Sequence, residues 1–293
     1  MMLNKIKLFS ESVFFSVMYT IINRLRTKGL LSKSVDYPDV VISLTSYGVR
    51  LRTVYLTLES LLSQSKSCGG IVLYLSTQDI KREDLPQSLK RLTYRGVKIK
   101  FVEENLRSYK KLHYALQDFP KSKIITVDDD IIYPRKWLEK IVDASNDFPN
   151  DIIFYRGHMI NFDASGKLTS YNTFPQAYGE SRSLLNLPTG VSGILYPQGC
   201  FHDDVLDSEK FLELAPYADD LWYKIMSMKN NTSCKLVGNE SIHFAPILGT
   251  QVGSLRSTNL TENSINNDVQ LRNLQEYYSI DFREYRMEGC KYD

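Results

Sequence analysis

The chain of 293 residues is long enough for one large α/β domain or two small ones. An apolar fraction of 43% and a charged fraction of 24% describe a globular protein. A formal net charge of +2 provides no broad positive field, so no nucleic-acid partner is predicted. Four scattered cysteines without a CxxC pair argue against a structural zinc site or a disulfide framework, and favour a reducing, cytoplasmic compartment.

Residues 1–35 are predicted to form an N-terminal amphipathic helix. The apolar run at 13–22 is shorter than the roughly 20 residues that span a bilayer, and basic residues follow it where a signal peptide has small ones. One interpretation is association with a membrane surface, with the Lys and Arg side chains at the headgroups. The apolar residues expected to face the membrane are Phe9, Phe14, Phe15 and Ile22. The alternative is a helix packed on its own domain or on a partner subunit.

From residue 36 the apolar pattern alternates between strand and helix. The predicted strands are 40–45, 70–76, 97–102 and 124–127, and the predicted helices are 53–62, 85–92 and 110–119. This alternation with short connections predicts a parallel sheet with right-handed crossovers. The chain contains neither GxGxxG nor a P-loop sequence, which argues against a dinucleotide oxidoreductase or a P-loop enzyme.

The second half of the chain has a less regular pattern. It predicts a strand at 151–155, a hairpin over 157–171 that turns at 163–166, a loop over 173–187, a glycine-bearing strand at 189–196, helices over 216–229 and 266–280, and a polar loop over 250–268.

Three consecutive acids, Asp128, Asp129 and Asp130, follow the fourth predicted strand. The carboxyl ends of strands are where open α/β sheets bind ligands. Three adjacent carboxylates repel one another unless a cation lies among them, and a hard divalent cation that holds substrate phosphates fits this pattern. The alternative is a solvated acidic turn, but the buried character of the preceding strand favours a site.

The segments LTSYGVR, IVLYLS, NLRSYKKL, VDDDIIYP and ADDLW, in this order, resemble the GT-A glycosyltransferases, close to family 2. They resemble more closely a group of bacterial surface-polysaccharide glycosyltransferases. The resemblance covers residues 39 to about 280. It implies a single α/β domain of GT-A fold over 36–293. A mostly parallel nucleotide-binding sheet with flanking helices would occupy 36–150, and a mixed acceptor-binding half would occupy 151–293.

The resemblance implies transfer of a sugar, with inversion, from a nucleotide-sugar donor to a saccharide acceptor. A UDP-sugar is the favoured donor, and lipid-linked saccharides are among the acceptors. The pathway implied is synthesis of capsule, O-antigen or exopolysaccharide, in the cytoplasm or peripherally on the inner face of the cell membrane. The alternatives are a sugar-phosphate or nucleotidyl transferase and a non-catalytic subunit of an assembly complex. The family's Asp-Asp-Gly after the second strand is replaced by Ser76-Thr77-Gln78-Asp79, so the nucleotide base is not carried over.

The resemblance also implies roles for individual residues. Mn²⁺ or Mg²⁺ is expected on Asp130, and Asp128 is expected on the metal or on the ribose of the nucleotide. His243 is a further candidate metal ligand, with a structural role as its alternative. Asp219 or Asp220 is expected to be the general base, with Asp220 favoured. The residues expected to bind the nucleotide-sugar are Thr45, Ser46, Tyr47, Arg50, Arg52, Asn105, Lys110, Lys111, Asp128, Asp129, Arg156, His158 and Gly193. For the basic residues among them, a solvated helix face is the alternative. Gln251, Asn267 and Asp268 are included by resemblance only.

Overall fold

The computed structural model describes residues 2–26, 34–250 and 265–286, with only the backbone given for residues 2–5 and 286. The described residues form eight α-helices and eleven β-strands. The helices are α1 (Met2–Leu25), α2 (Val54–Leu62), α3 (Gln87–Thr93), α4 (Lys110–Asp118), α5 (Trp137–Asp147), α6 (Ser208–Leu214), α7 (Asp219–Lys229) and α8 (Asn267–Tyr277). The strands are β1 (Tyr37–Thr45), β2 (Cys68–Ser76), β3 (Val97–Val102), β4 (Lys123–Thr126), β5 (Ile131–Ile132), β6 (Ile152–Phe154), β7 (Gly157–Met159), β8 (Asn186–Pro188), β9 (Ile194–Tyr196), β10 (Cys234–Leu236) and β11 (Ala245–Pro246).

The chain divides into two compact units, Met1–Val142 with His243–Val252 and Asp143–Ile242 with Gly253–Asp293. In the first unit the strands lie in the order β4-β1-β2-β3 and are all parallel. Residues 40–44 of β1 are buried on both faces, as expected for a strand inside a parallel sheet flanked by helices. The predicted α/β class, with a mostly parallel sheet and flanking helices, is confirmed by this pairing.

A short antiparallel pair, β5 with β11, follows the three acids and was not predicted from the sequence. Ala245 pairs with Ile132 and Pro246 with Ile131, and the amide of Ile247 donates to the carbonyl of Asp130 over 2.7 Å. This pairing brings the segment 243–250 of the chain into the first unit.

The N-terminal helix α1 packs one side against the first unit. Tyr19 is buried in a cluster with Leu56, Ile132 and Ile247, and Phe15 and Ile22 are partly buried against the same cluster. Among the described residues, no helix has both the length and the apolar character needed to cross a membrane.

The predicted assignment of apolar side chains on α1 is wrong in part. Phe9 and Phe14 are exposed, but Phe15 and Ile22 turn toward the protein. The reason is the helical period of 3.6 residues, which places Phe15 and Ile22 near Tyr19 and away from Phe9.

The second unit is mixed, as predicted: β6 pairs parallel with β10 and antiparallel with β9. The predicted hairpin over 157–171 is only partly correct. Its turn forms, with the amide of Asp163 donating to the carbonyl of Lys167 over 2.8 Å. However, β7 pairs with β8 instead of with residues of the predicted hairpin. Gly157 permits this close approach, since a Cβ atom there would lie 2.4 Å from the carbonyl oxygen of Leu187.

The predicted strand at 189–196 is shorter in the structure. Gly190–Ser192 forms a 3₁₀ turn, and Gly193 has φ 100° and ψ 138°, a conformation that favours glycine. Only Ile194–Tyr196 pairs as a strand. The helix predicted over 216–229 is confirmed with the same end, but α7 begins three residues later, at Asp219.

Candidate functional site

The carboxyl ends of β1 and β4 bring two sequence-predicted groups together. The register pairs Ser43 with Thr126, so the residues that follow both strands emerge at the same edge of the sheet. Ser46, which follows β1 directly, donates from Oγ to Oδ2 of Asp129 over 2.5 Å. The parallel sheet thus positions the residues 128–130, called the acidic cluster below, at the edge where such sheets bind ligands.

Asp129 is the most deeply buried member of the acidic cluster. Its Oδ1 accepts a hydrogen bond from Nη1 of Arg50 over 2.8 Å. Burial raises the pKa of Asp129 above its usual value, although Arg50 and the hydrogen bond from Ser46 favour the charged form. Because both carboxylate oxygens accept from the protein, Asp129 anchors the acidic cluster and orients Arg50.

Asp128 has the most exposed side chain of the cluster, with 27% of its surface accessible. Nζ of Lys111 lies 2.8 Å from its Oδ1, and its amide donates to the hydroxyl of Tyr133 over 3.0 Å. Lys111 lies on α4, and its own backbone carbonyl accepts a hydrogen bond from the hydroxyl of Ser43 on β1. The ion pair therefore has support from both β1 and α4.

Asp130 combines burial with like charges nearby. Burial, followed by the charge of Asp128, raises the pKa of Asp130 to about 7, against the opposing effect of Arg50. Nη2 of Arg50 lies 3.3 Å from Oδ2 of Asp130. Near neutral pH this carboxyl is therefore divided between its two protonation states, and a further cation would favour the charged one.

The acidic cluster fits a divalent cation that is shared with a substrate. Within the described ranges, no group of three or more His, Cys, Asp or Glu side chains is arranged to hold a metal ion. Mg²⁺ is, however, usually bound by one or two carboxylates together with phosphates and water. Asp128 and Asp130 supply two such oxygen donors, and a cation beside them would favour the charged form of Asp130, whose pKa is raised first by burial and then by the charge of Asp128.

Lys110 belongs to a separate polar network. Its side chain is only 1% exposed, and Nζ lies 3.1 Å from Oδ2 of Asp79 and 2.7 Å from Oδ1 of Asn105. Asn105 in turn donates to Oδ1 of Asp79 over 2.9 Å. Burial lowers the pKa of Lys110, and Asp79 offsets this effect. The charge of Lys110 is thus compensated by Asp79, and the side chain does not lie on a solvated helix face.

The other predicted residues near β1 differ in their exposure. Thr45 donates from Oγ1 to the carbonyl of Tyr74 over 2.9 Å, which ties the end of β1 to β2. Tyr47 is 41% exposed. Arg50 and Arg52 share the 3₁₀ turn Gly48–Arg52, but Arg52 is exposed and Arg50 is directed to the acidic cluster.

The segment around β11 contributes Thr250 to this region. Nη2 of Arg50 donates to the carbonyl of Thr250 over 3.2 Å. His243 lies at the opposite end of the β5–β11 ladder, where Phe244 packs on Tyr133 with ring centroids 6.2 Å apart.

In the second unit, the two candidate bases differ in their exposure. Asp219 is buried, whereas Asp220 is half-buried and accepts from the amide of Gly190 over 3.3 Å. Both lie in the first turn of α7, where a carboxylate is favoured by the helix dipole.

The remaining predicted residues of the second unit lie around β7 and β9. Arg156 donates from Nη1 to Oγ1 of Thr189 over 2.9 Å. His158 has Nδ1 3.2 Å from the carbonyl oxygen of Phe174. The carbonyl of Gly193 accepts from the amide of Tyr155 over 3.3 Å. These contacts order the segments that follow β6.

Asp268, which was included by resemblance, holds a loop of its own unit. Its carboxylate accepts from the hydroxyl of Ser170 over 2.7 Å and from the amide of Tyr171 over 2.6 Å. Asn267 is the first residue of α8. Gln251 lies outside the described residues.

No protein-family model matches the chain, and no curated protein matches it. Solved structures of low sequence identity are similar to it. S. aureus TarS 1–349 in complex with UDP has a TM-score of 0.47 and 14% identity, covering 70% of this chain and 59% of that one. The mannosyltransferase PcManGT from Pyrobaculum calidifontis, in complex with GDP-Man and Mn²⁺, has a TM-score of 0.42 and 15% identity, covering 82% and 66%.

A third similar structure is the 4-diphosphocytidyl-2C-methyl-D-erythritol synthase from Anaerococcus prevotii. It has a TM-score of 0.43 and 13% identity, covering 70% of this chain and 91% of that one. The chain thus spans about three fifths of the TarS structure and about two thirds of the mannosyltransferase. At these values the similarity concerns the fold, and the chemistry has to be argued from the residues of this chain.

Sequence reasoning missed two partners of the predicted residues. Asp79 pairs with Lys110, and a lone acid just after a buried strand was the only signal for it. Thr250 reaches Arg50 through its backbone carbonyl, and a backbone contact from a distant segment leaves no sequence signal.

Proposed function

We propose that the protein is a glycosyltransferase that moves a sugar from a nucleotide-sugar to a saccharide acceptor. The observation that carries the proposal is the acidic cluster at the carboxyl end of β4, where Asp128 and Asp130 lie with Lys111 and Arg50. Two carboxylates beside two cations suit a metal-bound diphosphate, because metal and phosphates together balance the charges.

Within this proposal, Asp128 and Asp130 hold Mn²⁺ or Mg²⁺, which when bound supplies positive charge to the diphosphate leaving group. Lys111 and Arg50 supply further positive charge: in this proposal Lys111 turns in part from Asp128, and Arg50 in part from Asp130, to a phosphate oxygen of the donor. Asp129 keeps its contacts with Ser46 and Arg50 and preserves the cluster.

The acceptor is activated in this proposal by Asp220. Its carboxylate takes the proton of the acceptor hydroxyl, the oxygen bonds to the anomeric carbon, and the bond from that carbon to the diphosphate breaks. The electron pair leaves with the diphosphate, so a single displacement inverts the anomeric centre. The greater exposure of Asp220 compared with Asp219 supports this choice.

The donor and pathway are part of the same proposal. We take a UDP-sugar as the donor, and a saccharide, free or lipid-linked, as the acceptor. The reaction then belongs to the synthesis of a bacterial surface polysaccharide at the inner face of the cell membrane. The donor and the pathway are inferred from the resemblance of the sequence segments to bacterial surface-polysaccharide glycosyltransferases. The reaction class is tested first.

The experiment is a panel of UDP-, GDP- and CMP-sugars incubated with the protein, with Mn²⁺, with Mg²⁺ or with EDTA. We expect slow, metal-dependent release of free sugar and of the nucleotide from one donor, because water replaces the missing acceptor. A parallel incubation contains nucleoside triphosphates together with a sugar phosphate. Release of pyrophosphate in that incubation would instead identify a nucleotidyl transferase. The non-catalytic alternative would be favoured if both reactions are absent and UDP, GDP and CMP with Mn²⁺ leave the melting temperature unchanged.

A further inference from the structure

The helix α1 is fixed to the first unit by polar contacts as well as by the apolar cluster around Tyr19. The hydroxyl of Ser12 donates to the carbonyl of Pro246 over 2.6 Å. Asn23 is 1% exposed and donates to Oε1 of Glu59 over 3.0 Å, and Arg91 donates to Oδ1 of Asn23 over 2.9 Å. One side of the helix therefore packs on the protein between Ser12 and Asn23.

The opposite side of α1 exposes a continuous row of large apolar side chains, called the outer stripe below. Its members Phe9, Val13, Val17, Ile21 and Leu25 are each four residues apart and are between 39% and 76% exposed. Residues four apart are neighbours on a helix, and because each step of four turns by about 40°, the row winds gradually over the exposed half of α1. Isolated apolar residues on a surface are ordinary, but a contiguous row indicates a surface that is covered by a partner.

Two further apolar residues widen the outer stripe. Ile6 is 56% and Phe14 is 64% exposed. The row from Phe9 to Leu25 extends over about 24 Å of helix, at about 1.5 Å for each residue.

Basic residues predominate among the charged residues near the outer stripe. Lys7, near its start, and Arg24 and Arg26, near its end, are exposed. Glu11 is the only acid in the sequence of α1, and its carboxylate lies 3.9 Å from Nζ of Lys7. The outer stripe is thus an apolar surface with basic ends, which is the pattern of helices that lie in the interface of an anionic bilayer.

A second copy of the chain fits this surface less well. A symmetric pair of outer stripes would bring basic ends against basic ends or Arg24 against Arg24, and Glu11, the one acid in the sequence of α1, is already beside Lys7. Anionic lipid headgroups provide the missing negative charge, and acyl chains accept the apolar side chains.

We infer that the outer stripe of α1 binds the surface of an anionic membrane, with the helix parallel to the bilayer. The packed side of α1 stays on the protein, so membrane contact leaves the cluster around Tyr19 intact. This surface differs from the one predicted from the sequence, because Phe15 and Ile22 belong to the packed side. The inference does not depend on the proposed reaction.

The test is co-sedimentation of the full chain with vesicles of phosphatidylcholine alone and with about 30% phosphatidylglycerol. One variant carries Phe9→Gln, Val13→Gln, Val17→Gln and Ile21→Gln, since glutamine keeps good helix propensity. A control carries Leu212→Gln and Tyr277→Gln, two exposed residues on α6 and α8. Circular dichroism and melting temperature verify that each variant is folded.

We expect binding to the anionic vesicles, at least about tenfold weaker binding in the four-residue variant, and unchanged binding in the control. Lys7→Gln and Arg24→Gln should each weaken binding by about fivefold. Equal binding to neutral and anionic vesicles, or equal loss in the control, overturns the inference. The inference is also overturned if the unmodified chain is a dimer in solution, the four-residue variant is a monomer, and neither binds vesicles. That result would assign the outer stripe to contact with a second copy of the chain.

Discussion

The guanidinium of Arg50 joins two carboxylates of the acidic cluster, and its contact with Asp129 is the shorter one. Nη1 of Arg50 lies 2.8 Å from Oδ1 of Asp129, with 16% and 6% of the two side chains exposed. Nη2 lies 3.3 Å from Oδ2 of Asp130. Because a largely buried carboxylate without a cation is unfavourable, the stability of this region depends on Arg50.

Arg50→Gln should therefore lower the free energy of unfolding by about 3 kcal/mol, the usual cost of removing one partner of a buried ion pair. Arg52→Gln is the matched control, since Arg52 lies on the same 3₁₀ turn but is exposed. It should change the free energy of unfolding by less than about 0.5 kcal/mol. Urea unfolding of the two variants measures both values. Equal values for Arg50→Gln and Arg52→Gln would show that the ion pair does not stabilise the fold.

Replacement of an aromatic residue should destabilise the protein on the packed side of α1 and have little effect on the exposed side. Tyr19 is 5% exposed within the cluster of Leu56, Ile132 and Ile247, so Tyr19→Ala should cost about 3 kcal/mol of stability. Phe14 is 64% exposed, and Phe14→Ala should cost less than about 0.5 kcal/mol. Thermal or urea unfolding separates the two. A large loss for Phe14→Ala would place that side chain in a packed surface.

The general base is tested by the two adjacent acids of α7. Asp220→Asn should lower the transfer rate by about 10²- to 10⁴-fold, the range of general acid–base assistance, while donor binding is retained. Asp219→Asn should reduce the rate much less, and its effect should appear in the melting temperature because Asp219 is buried. Initial rates and donor affinity are measured for both variants. If both variants transfer sugar at a near-normal rate, neither acid is the general base of an inverting mechanism, and a retaining mechanism is favoured.

The regular part of the first unit could be predicted from the sequence because local patterns determine it. Strand β3 has its predicted bounds, and the four parallel strands follow from the alternation of apolar runs and amphipathic helices. The position of the acidic cluster also follows, since any residue directly after β4 lies at the carboxyl edge of the sheet.

The parts that sequence reasoning missed depend on contacts between distant segments. The β5–β11 pair joins two-residue strands that are far apart in the chain, and no periodic pattern marks so short a strand. Likewise, the partner of β7 is decided by the space at Gly157 and not by the turn at 163–166. The pairing of Lys110 with Asp79 arises because α4 packs against the sheet, which the charge pattern of the helix alone does not reveal.

The central claim is that Asp128 and Asp130 hold a divalent cation for a nucleoside diphosphate, and calorimetric titration with UDP and GDP tests it most directly. The titrations are made with and without Mn²⁺ on the unmodified chain, on Asp130→Asn and on Asp39→Asn, which changes an exposed acid near the amino end of β1. The account predicts Mn²⁺-dependent binding of one nucleotide, a loss of at least about tenfold in Asp130→Asn, and no loss in Asp39→Asn. The claim would be contradicted if a folded Asp130→Asn variant binds the nucleotide in the presence of Mn²⁺ with the same affinity as the unmodified chain.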